Sequence, residues 1–445
     1  MRGARLHPAT FASALTAAMA AGAPLHAQQP TVRLSIDDAV ERAVVRNEEV
    51  LVARAERARA EGLATEVRAR SLPEVTLDFG YTRNLQTPVL FFNQPGEGTQ
   101  QISIGNDNDY SLALGLRQPL LDLTLGPARS AARLSRDAGD ASVEAARVQV
   151  ALDARVAYYQ ALLDQALLEV QERALEAARS RLDQVESFRR AGTASEFDLL
   201  TAQVEVDNIR PLVIEARNRL ALDRDRLKRV IGLSLDERVE LTDSLREPEG
   251  EPPTMAGAME TAQDSRSDLR GQRIRVRLQE ENLAVEDRSG FPTLSLTASF
   301  LRRASSSDVL PPERDFSQSA SAGLSLSVPI FDGRERAGRI QQARAALERE
   351  RYRLEQLRES VRLEVQQAHR NLASARERID ASSSNVRRAE RALEIAQTRF
   401  SNGLGTQVEL NDAELAVTRA RTNYVQALYG YRVARAQLLR AQGRR

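Results

Sequence analysis

The chain has 445 residues, of which 42% are hydrophobic, 28% charged and only 4% aromatic, and its formal net charge is +1. Because nucleic-acid binding depends on an excess of positive charge, this balance argues against a nucleic-acid partner. The absence of cysteine excludes a disulfide framework, a thiolate zinc site and a cysteine nucleophile, and with three histidines no metal centre or cofactor site is expected.

Residues 1–27 have the three parts of a secretory signal peptide. Arg2 and Arg5 give the positive start, an uncharged run follows, and Ala27 is expected to precede the cleavage point. Ala23 is an alternative, although Pro24 would then follow the cut. A membrane anchor is disfavoured because the apolar run is short for a transmembrane helix. No cysteine follows the signal, so a lipid-modified N-terminal cysteine is not expected.

The remainder of the chain repeats itself at an offset of about 210 to 220 residues. The first repeat is predicted over residues 28–245 and the second over residues 246–445. Each has the order helix, strand, loop, strand, very long helix, tight turn and long helix. Pro73 before the first strand matches Pro292, and Pro119 at the end of the second strand matches Pro329. Several landmarks in the same order indicate a duplication.

Strands are predicted where apolar and polar residues alternate, at about 74–84, 109–119, 292–302 and 319–329. In the first of them Val75, Leu77 and Phe79 point one way, and Thr76 and Asp78 point the other way. This pattern fits a half-buried sheet of a soluble protein. It also fits a membrane β-barrel, whose tilted strands need about 10 residues each.

Long helices are predicted from apolar residues at heptad spacing, at about 127–190, 195–231, 335–401 and 406–441. Residues 128–188 contain no proline, and a helix of that length would extend for about 90 Å. Pro211 lies inside the first return helix, where it is expected to kink or break it. Helices this long do not suit a compact enzyme, and no nucleophile with a base and an orienting group is visible.

Four strands per chain cannot close a membrane barrel, since known barrels begin at about eight strands. Lipid does not tolerate open strand edges, so the chain is expected to associate. Two copies would give eight strands and a filled interior, whereas three copies would give twelve strands and twelve long helices.

The two predicted helix turns share the pattern Gly-x-x-Ser/Thr-x-x-Asp/Glu-Leu, which begins at Gly192 and at Gly403. Glycine permits the left-handed conformation that ends one helix, and Ser195 and Thr406 are expected to cap the next. Together with the signal peptide, the duplication, the strand pairs and the paired long helices, these turns resemble those of the TolC-like outer membrane efflux protein family. The resemblance covers residues 34–443.

The resemblance implies a mainly α fold with a membrane β-barrel. Three copies would form a 12-stranded barrel that continues into an α-helical periplasmic tunnel. The homotrimer would sit in the outer membrane of a Gram-negative bacterium, in contact with outer membrane lipid. It would be the passive exit duct of a tripartite efflux or type I secretion system. Its partners would be a periplasmic adaptor protein and an inner-membrane efflux pump or ABC transporter.

In the family the two turns form the periplasmic tip, where the adaptor docks. The resemblance therefore implies docking candidates at Gly192, Thr193, Ala194, Ser195, Gly403, Leu404, Gly405 and Thr406. Glu409 and Asp412 align with acidic positions that face the pore at its constriction, so three copies would make two acidic rings that attract cations. For Glu409, a plain role as a helix-start acid has equal weight.

Asp198 is a third constriction candidate, because it aligns with an acid that bonds a tyrosine of the second turn in the family's namesake. Here Phe400 occupies the tyrosine position, and Gly405 replaces an arginine of the same network. The closed tip would then be held by other contacts. Arg189 and Arg190 are candidates from their position alone.

Two other classes of protein also contain long helices. A periplasmic adaptor normally has one helical hairpin beside a compact β-rich domain, whereas this sequence predicts two hairpins and no such domain. A soluble coiled-coil scaffold would need neither the strand pairs nor the signal peptide. The channel interpretation is therefore preferred to both.

Overall fold

The structure is a computed structural model, and it describes residues 31–94, 98–247, 250–309, 311–312 and 316–445. The predicted signal peptide, residues 1–27, lies outside the described residues. The first part of the chain forms β1 (Val32–Leu34), α1 (Ile36–Arg46), α2 (Glu48–Ala69), β2 (Glu74–Arg83), β3 (Val89–Gln94), β4 (Gly98–Ser103), β5 (Asn108–Leu121), α3 (Leu125–Arg190) and α4 (Glu196–Val230). The second part forms β6 (Val239–Leu241), α5 (Met255–Ser265), α6 (Ser267–Arg288), β7 (Thr293–Ser306), β8 (Phe316–Ser327), α7 (Glu335–Ser401) and α8 (Gln407–Ala441).

The four predicted strands form one antiparallel sheet in the order β2-β5-β7-β8. The sheet therefore joins the hairpin of the first half to that of the second half through β5 and β7. Leu77, Leu114 and Phe300 lie side by side in one row, and their exposed fractions are 68%, 44% and 38%. The alternation predicted from the sequence is confirmed, and the apolar face of the sheet is open in the single chain.

The opposite face of the sheet carries small and polar side chains. Thr76, Gly115, Ser299 and Ser321 form one row across the four strands, and the hydroxyl oxygens of the two serines lie 2.9 Å apart. A Cβ atom on Gly115 would lie 2.8 Å from the hydroxyl of Thr76, so a larger residue there would require the Thr76 side chain to move. One sheet thus has an apolar face and a face of small and polar residues.

The helix expected at the start of each half is instead a pair of helices. Asn47 ends α1 in an extended conformation and caps α2, because its side chain accepts a hydrogen bond from Glu49 N at 2.9 Å. The same side chain donates to the carbonyl of Val230 at 3.0 Å, which ties this junction to the end of α4. Arg266 occupies the corresponding position between α5 and α6.

Two further strand pairs were not predicted. β1 and β6 form a short parallel pair between segments about 200 residues apart. β3 and β4 form a hairpin inside the loop that joins β2 to β5.

The break considered at Pro211 is not present. Pro211 lies within α4, and the helix continues through it.

Two of the three hydrophobic clusters in the described chain lie at the middle of the long helices, and a smaller third cluster lies between α3 and α4. The first gathers α1, β1 and β6 around α3, and the second gathers α5 with α7 and α8. In the first core the hydroxyl oxygen of the fully buried Tyr158 lies 2.6 Å from the Asp243 carboxylate and 2.9 Å from the Leu34 carbonyl oxygen. From Tyr158 to the end of α3 the helix extends for about 45 Å, so the two helix turns lie far from both cores.

Candidate functional site

The two helix turns lie side by side and enclose a groove. The ring centroids of Phe188 and Phe400 are 6.4 Å apart, and the side-chain amide of Gln407 donates to the Asp198 carbonyl at 3.4 Å. The groove has a volume of about 310 Å³ and is lined by Val185, Phe188, Thr193, Ala194, Asp198, Phe400, Ser401, Gly403, Gly405 and Gln407. Candidates from both turns therefore meet at one place.

In each turn, a glycine with a left-handed backbone conformation ends the preceding helix. Gly192 has φ 77° and Gly403 has φ 71°. The backbone N–H groups of Thr193 and Leu404 then donate to carbonyls of the preceding helix, those of Phe188 and Arg399, at 2.9 and 2.8 Å. The role predicted for the two glycines is confirmed.

Each turn begins its second helix with a reciprocal pair of hydrogen bonds. The Ser195 hydroxyl accepts from Asp198 N at 3.2 Å, and the Asp198 carboxylate accepts from Ser195 N at 2.9 Å. Thr406 and Glu409 make the same pair at 3.2 and 3.4 Å. The predicted N-caps are confirmed, and the bonds from Ser195 lower the pKa of the Asp198 carboxyl.

The three acidic candidates have different surroundings. Asp198 and Glu409 use their carboxylates in the caps, and Glu409 also lies 3.7 Å from the guanidinium of Arg399. Asp412 is exposed one turn further along α8, and its carboxylate forms no hydrogen bond or ion pair with any residue that the structure describes. Whether Glu409 and Asp412 line a pore depends on the other copies, so this role stays a prediction.

The departures of this sequence from the family pattern have a local reason at Phe400 and Gly405. The Phe400 ring packs towards Phe188 of the first turn, which is an apolar contact between the two turns. A Cβ atom on Gly405 would lie 3.1 Å from the Arg399 Cβ and 3.2 Å from the Phe400 nitrogen. The second turn therefore leaves little room for an arginine at this position.

Sequence reasoning missed a buried arginine near the tip. Arg181 on α3 is only 5% exposed, its guanidinium donates to the side-chain oxygen of Asn411, and it forms an ion pair with Glu414. Both partners lie on α8, so one side chain joins the first helical hairpin to the second. Burial lowers the pKa of the guanidinium, but arginine keeps its charge at any ordinary pH.

A signal for Arg181 exists in the sequence. The buried stripe of α3 continues through Leu175, Ala178 and Val185, and Arg181 occupies a core position of that stripe. A charged residue on an apolar stripe indicates a partner on another element.

Arg189 and Arg190 lie in the last turn of α3 and are exposed. Arg190 donates to the hydroxyl of Ser187 at 3.2 Å, within its own helix. Within the described residues of one chain, neither arginine bonds to the second turn, and their proposed part in closing the tip stays a prediction.

No helix in the described part of the chain is long and apolar enough to cross a membrane. Among the same residues, no group of three or more histidine, cysteine, aspartate or glutamate side chains is placed to hold a metal ion.

Comparison with known proteins gives one family. The family model described as "Outer membrane efflux protein" matches residues 39–233 and 258–444. Protein CyaE of Bordetella pertussis is 28% identical over 365 residues, which cover 78% of this chain and 74% of CyaE. Outer membrane protein TolC of Escherichia coli is 22% identical over 387 residues, which cover 85% of this chain and 76% of TolC.

The fold is that of solved outer membrane channels. The crystal structure of the Campylobacter jejuni CmeC outer membrane channel superposes with a TM-score of 0.77 at 17% sequence identity. The match covers 92% of this chain and 85% of CmeC. At this identity the match concerns the fold alone.

Proposed function

The chain belongs to the outer membrane efflux protein family, and we propose that three copies form the exit channel of a tripartite efflux or type I secretion system. As a member of this family it is an outer membrane channel protein that serves efflux or secretion. Beyond this family role, we propose the number of copies, the residues that line the pore and the partner proteins.

The observation that supports a trimer is the four-stranded sheet, which has two open edges. β2 and β8 are the edge strands, and the apolar residues of both are exposed, with Phe79 at 72% and Leu324 at 67%. An open edge is not tolerated in lipid, so β8 of one copy would pair with β2 of the next. Three copies would close twelve strands, with the apolar face towards lipid and the polar face towards the lumen.

We propose that the long helices below the sheet form the periplasmic tunnel. Residues 28–245 and 246–445 would each contribute one strand pair and one helical hairpin, after removal of the signal at residues 1–27. The mature chain would thus supply one third of the wall. The channel would be passive, with the energy supplied by the inner-membrane pump, as the resemblance to the family implies.

The tip would receive a periplasmic adaptor coupled to an inner-membrane efflux pump or ABC transporter. The tip supports this, because the exposed apolar residue Leu404, at 72%, lies between Gly403 and Gly405, which both line the groove between the turns. Gly192, Thr193, Ala194 and Ser195 would form the part of the docking surface on the first turn, and Gly403, Leu404, Gly405 and Thr406 the part on the second turn.

Asp412 and Glu409 would form two acidic rings at the constriction, with Asp198 beside them on the first turn. A ring of carboxylates in a narrow pore attracts cations and offers a place where divalent cations block.

The function is tested by reconstituting the purified protein in planar lipid bilayers. We expect discrete channel events with a preference for cations, and closure by divalent cations from the side of the tip alone. Protein that inserts without forming channels, or channels that prefer anions, would contradict the proposal. Leu404→Glu should abolish adaptor capture and leave these channel events intact, whereas Leu363→Glu, on an exposed part of α7, should leave both intact.

A further inference from the structure

A groove between α2 and α3, next to the sheet, is lined by several arginines that have few acidic partners. It has a volume of about 470 Å³ and is lined by Glu61, Ala64, Thr65, Arg68, Arg129, Arg133 and Arg136. All four arginines are exposed. Four cations and one carboxylate therefore share one cavity, which we refer to as the arginine groove.

The carboxylate does not neutralise these cations. Glu61 pairs with Arg57, one helical turn away on α2, at 3.4 Å. The guanidinium groups of Arg68 and Arg133 form no ion pair or hydrogen bond with any residue that the structure describes. Elsewhere in the long helices a number of exposed arginines pair with an acid three or four positions away, for example Arg358 with Glu355.

The other two arginines of the groove make only local contacts. Arg136 reaches Asp137, its neighbour in sequence, at 3.2 Å. Arg129 donates to the hydroxyl of Ser71, in the short link between α2 and β2. Both contacts leave guanidinium N–H groups free to bond an anion.

The second half of the chain provides an internal reference for this groove. When α6 is matched to α2 and α7 to α3, three of the four arginines have no counterpart, because the equivalent positions are Asp287, Ala343 and Ala346. The fourth, Arg129, corresponds to Arg339, which lies 3.1 Å from Glu286 and 2.8 Å from Glu335. The positive charge is therefore specific to the first half and is not a general property of the fold.

The arginine groove lies directly beside the strands. α2 ends at Ala69 and β2 starts at Glu74, while β5 ends at Leu121 and α3 starts at Leu125. The side-chain amide of Gln118 in β5 donates to the Ser71 carbonyl at 3.1 Å, which joins the strand ends to the helix ends. The helix rise places the groove within about 20 Å of the strands. In an outer membrane channel, that level is the periplasmic surface of the membrane.

We propose that the arginine groove binds the phosphate group of an anionic phospholipid in the periplasmic leaflet of the outer membrane. Guanidinium groups bond phosphate oxygens in pairs, and basic pockets at a membrane surface attract anionic headgroups. The proposal rests on the outer membrane channel described above. A bound headgroup compensates the unpaired charge and fixes the level at which the sheet meets the helices.

The test uses the purified full chain in detergent micelles doped with phosphatidylglycerol, with phosphatidylcholine, or with phosphatidylglycerol and an equal concentration of inorganic phosphate. Lipid retained on the protein is measured by native mass spectrometry. The variant R133A/R136A carries the alanines of the second half. The control R358A/R362A removes two exposed arginines of α7 and causes the same change in net charge.

We expect the wild type and the control to retain phosphatidylglycerol in preference to phosphatidylcholine. R133A/R136A should bind phosphatidylglycerol about tenfold more weakly. Equal retention by all three proteins would overturn the proposal. Displacement of the lipid by inorganic phosphate at equal concentration would also overturn it, because the groove would then be a free-anion site. The same spectra report the number of chains in each complex. A trimer that retains no phosphatidylglycerol would contradict the lipid site but not the channel. A monomer would contradict the trimeric channel itself.

Discussion

Arg181 of α3 forms a buried ion pair with Glu414 of α8, so the two helical hairpins of the chain are joined by a charged contact near the tip. The side chain of Arg181 is 5% exposed and that of Glu414 is 22% exposed. This pair is therefore a candidate for the contact that keeps the two hairpins together.

Replacing Arg181 by alanine should loosen the tip. The variant leaves Glu414 and Asn411 without their common partner, and loss of one member of a buried pair costs roughly 3 kcal/mol. We expect R181A to raise the mean single-channel conductance in planar bilayers and to lower the melting temperature.

Two further variants separate Arg181 from the arginines of the first turn. R181K keeps the charge and should have an intermediate conductance. If R189A/R190A opens the channel and R181A does not, the closed tip depends on the turn arginines, and Arg181 does not hold it closed.

Asp412 should control ion selectivity more cleanly than Glu409. Its carboxylate takes part in no contact within the described chain, whereas that of Glu409 also caps α8, and loss of a cap costs about 1 kcal/mol. We expect Asp412→Asn to reduce cation preference and block by divalent cations without lowering the melting temperature. The measurement is the reversal potential in a salt gradient, and an unchanged potential argues against an acidic ring at this position.

Stability should depend on pH through Asp164 and Asp223, which face each other on α3 and α4 and are 5% and 7% exposed. Burial, and then the neighbouring Asp223, raise the pKa of Asp164 to about 6. In the same pair, hydrogen bonding with Asp164 lowers the pKa of Asp223. The two carboxyls therefore share a proton that Asp164 holds.

An unfolded aspartate has a pKa of about 3.9, so between that value and about 6 the folded chain binds more protons than the unfolded one. The free energy of unfolding must then fall as the pH rises through this window. Asp164→Asn has no proton to lose there, so its melting temperature should change less with pH and exceed that of the wild type above the window. Asp183→Asn, at an exposed position of α3, is the control. Parallel curves for wild type and D164N would show that this pair does not control the dependence.

Gly403 and Gly430 test the turn geometry as a matched pair. Gly403 has φ 71°, a conformation that costs an alanine about 1 kcal/mol, whereas Gly430 lies inside α8 with open space around it. Gly403→Ala should lower the melting temperature and Gly430→Ala should raise it, because alanine favours a helix interior. The same sign for both substitutions would contradict the described turn.

The elements with a strong periodic signal could be predicted from the sequence almost to the residue. The long helix predicted at about 127–190 spans Leu125–Arg190, because its heptad pattern runs without interruption. The turn glycines and the caps at Ser195 and Thr406 could be predicted because their chemistry is local.

What could not be predicted depends on residues far apart in the chain. Arg181 and Asn411 are separated by 230 positions, and no pattern near either residue reveals the other. The β1–β6 pair has only three residues in each strand, too few for alternation to be visible. The break at Asn47 has a cap signal, but the helical pattern continues on both sides of it.

The internal repeat predicts how neighbouring copies pair. Val75 faces Leu116 in the first hairpin, and the equivalent Leu294 faces Leu326 in the second, so the two hairpins have the same register. At the junction between them Arg117 of β5 faces Thr297 of β7. If the junction between copies repeats this one, Ser327 of β8 faces Asp78 of β2 in the next copy.

The most direct test of the channel is therefore a cysteine pair at these two positions, in a chain that has no cysteine of its own. Within one copy β2 and β8 are the opposite edges of the sheet, about 14 Å apart, which is too far for a disulfide. We expect D78C/S327C to form cross-linked trimers in the outer membrane fraction under oxidation. D78C/S321C, displaced by about 20 Å along β8, should form none. Monomeric D78C/S327C in the soluble periplasmic fraction would contradict a trimeric outer membrane channel.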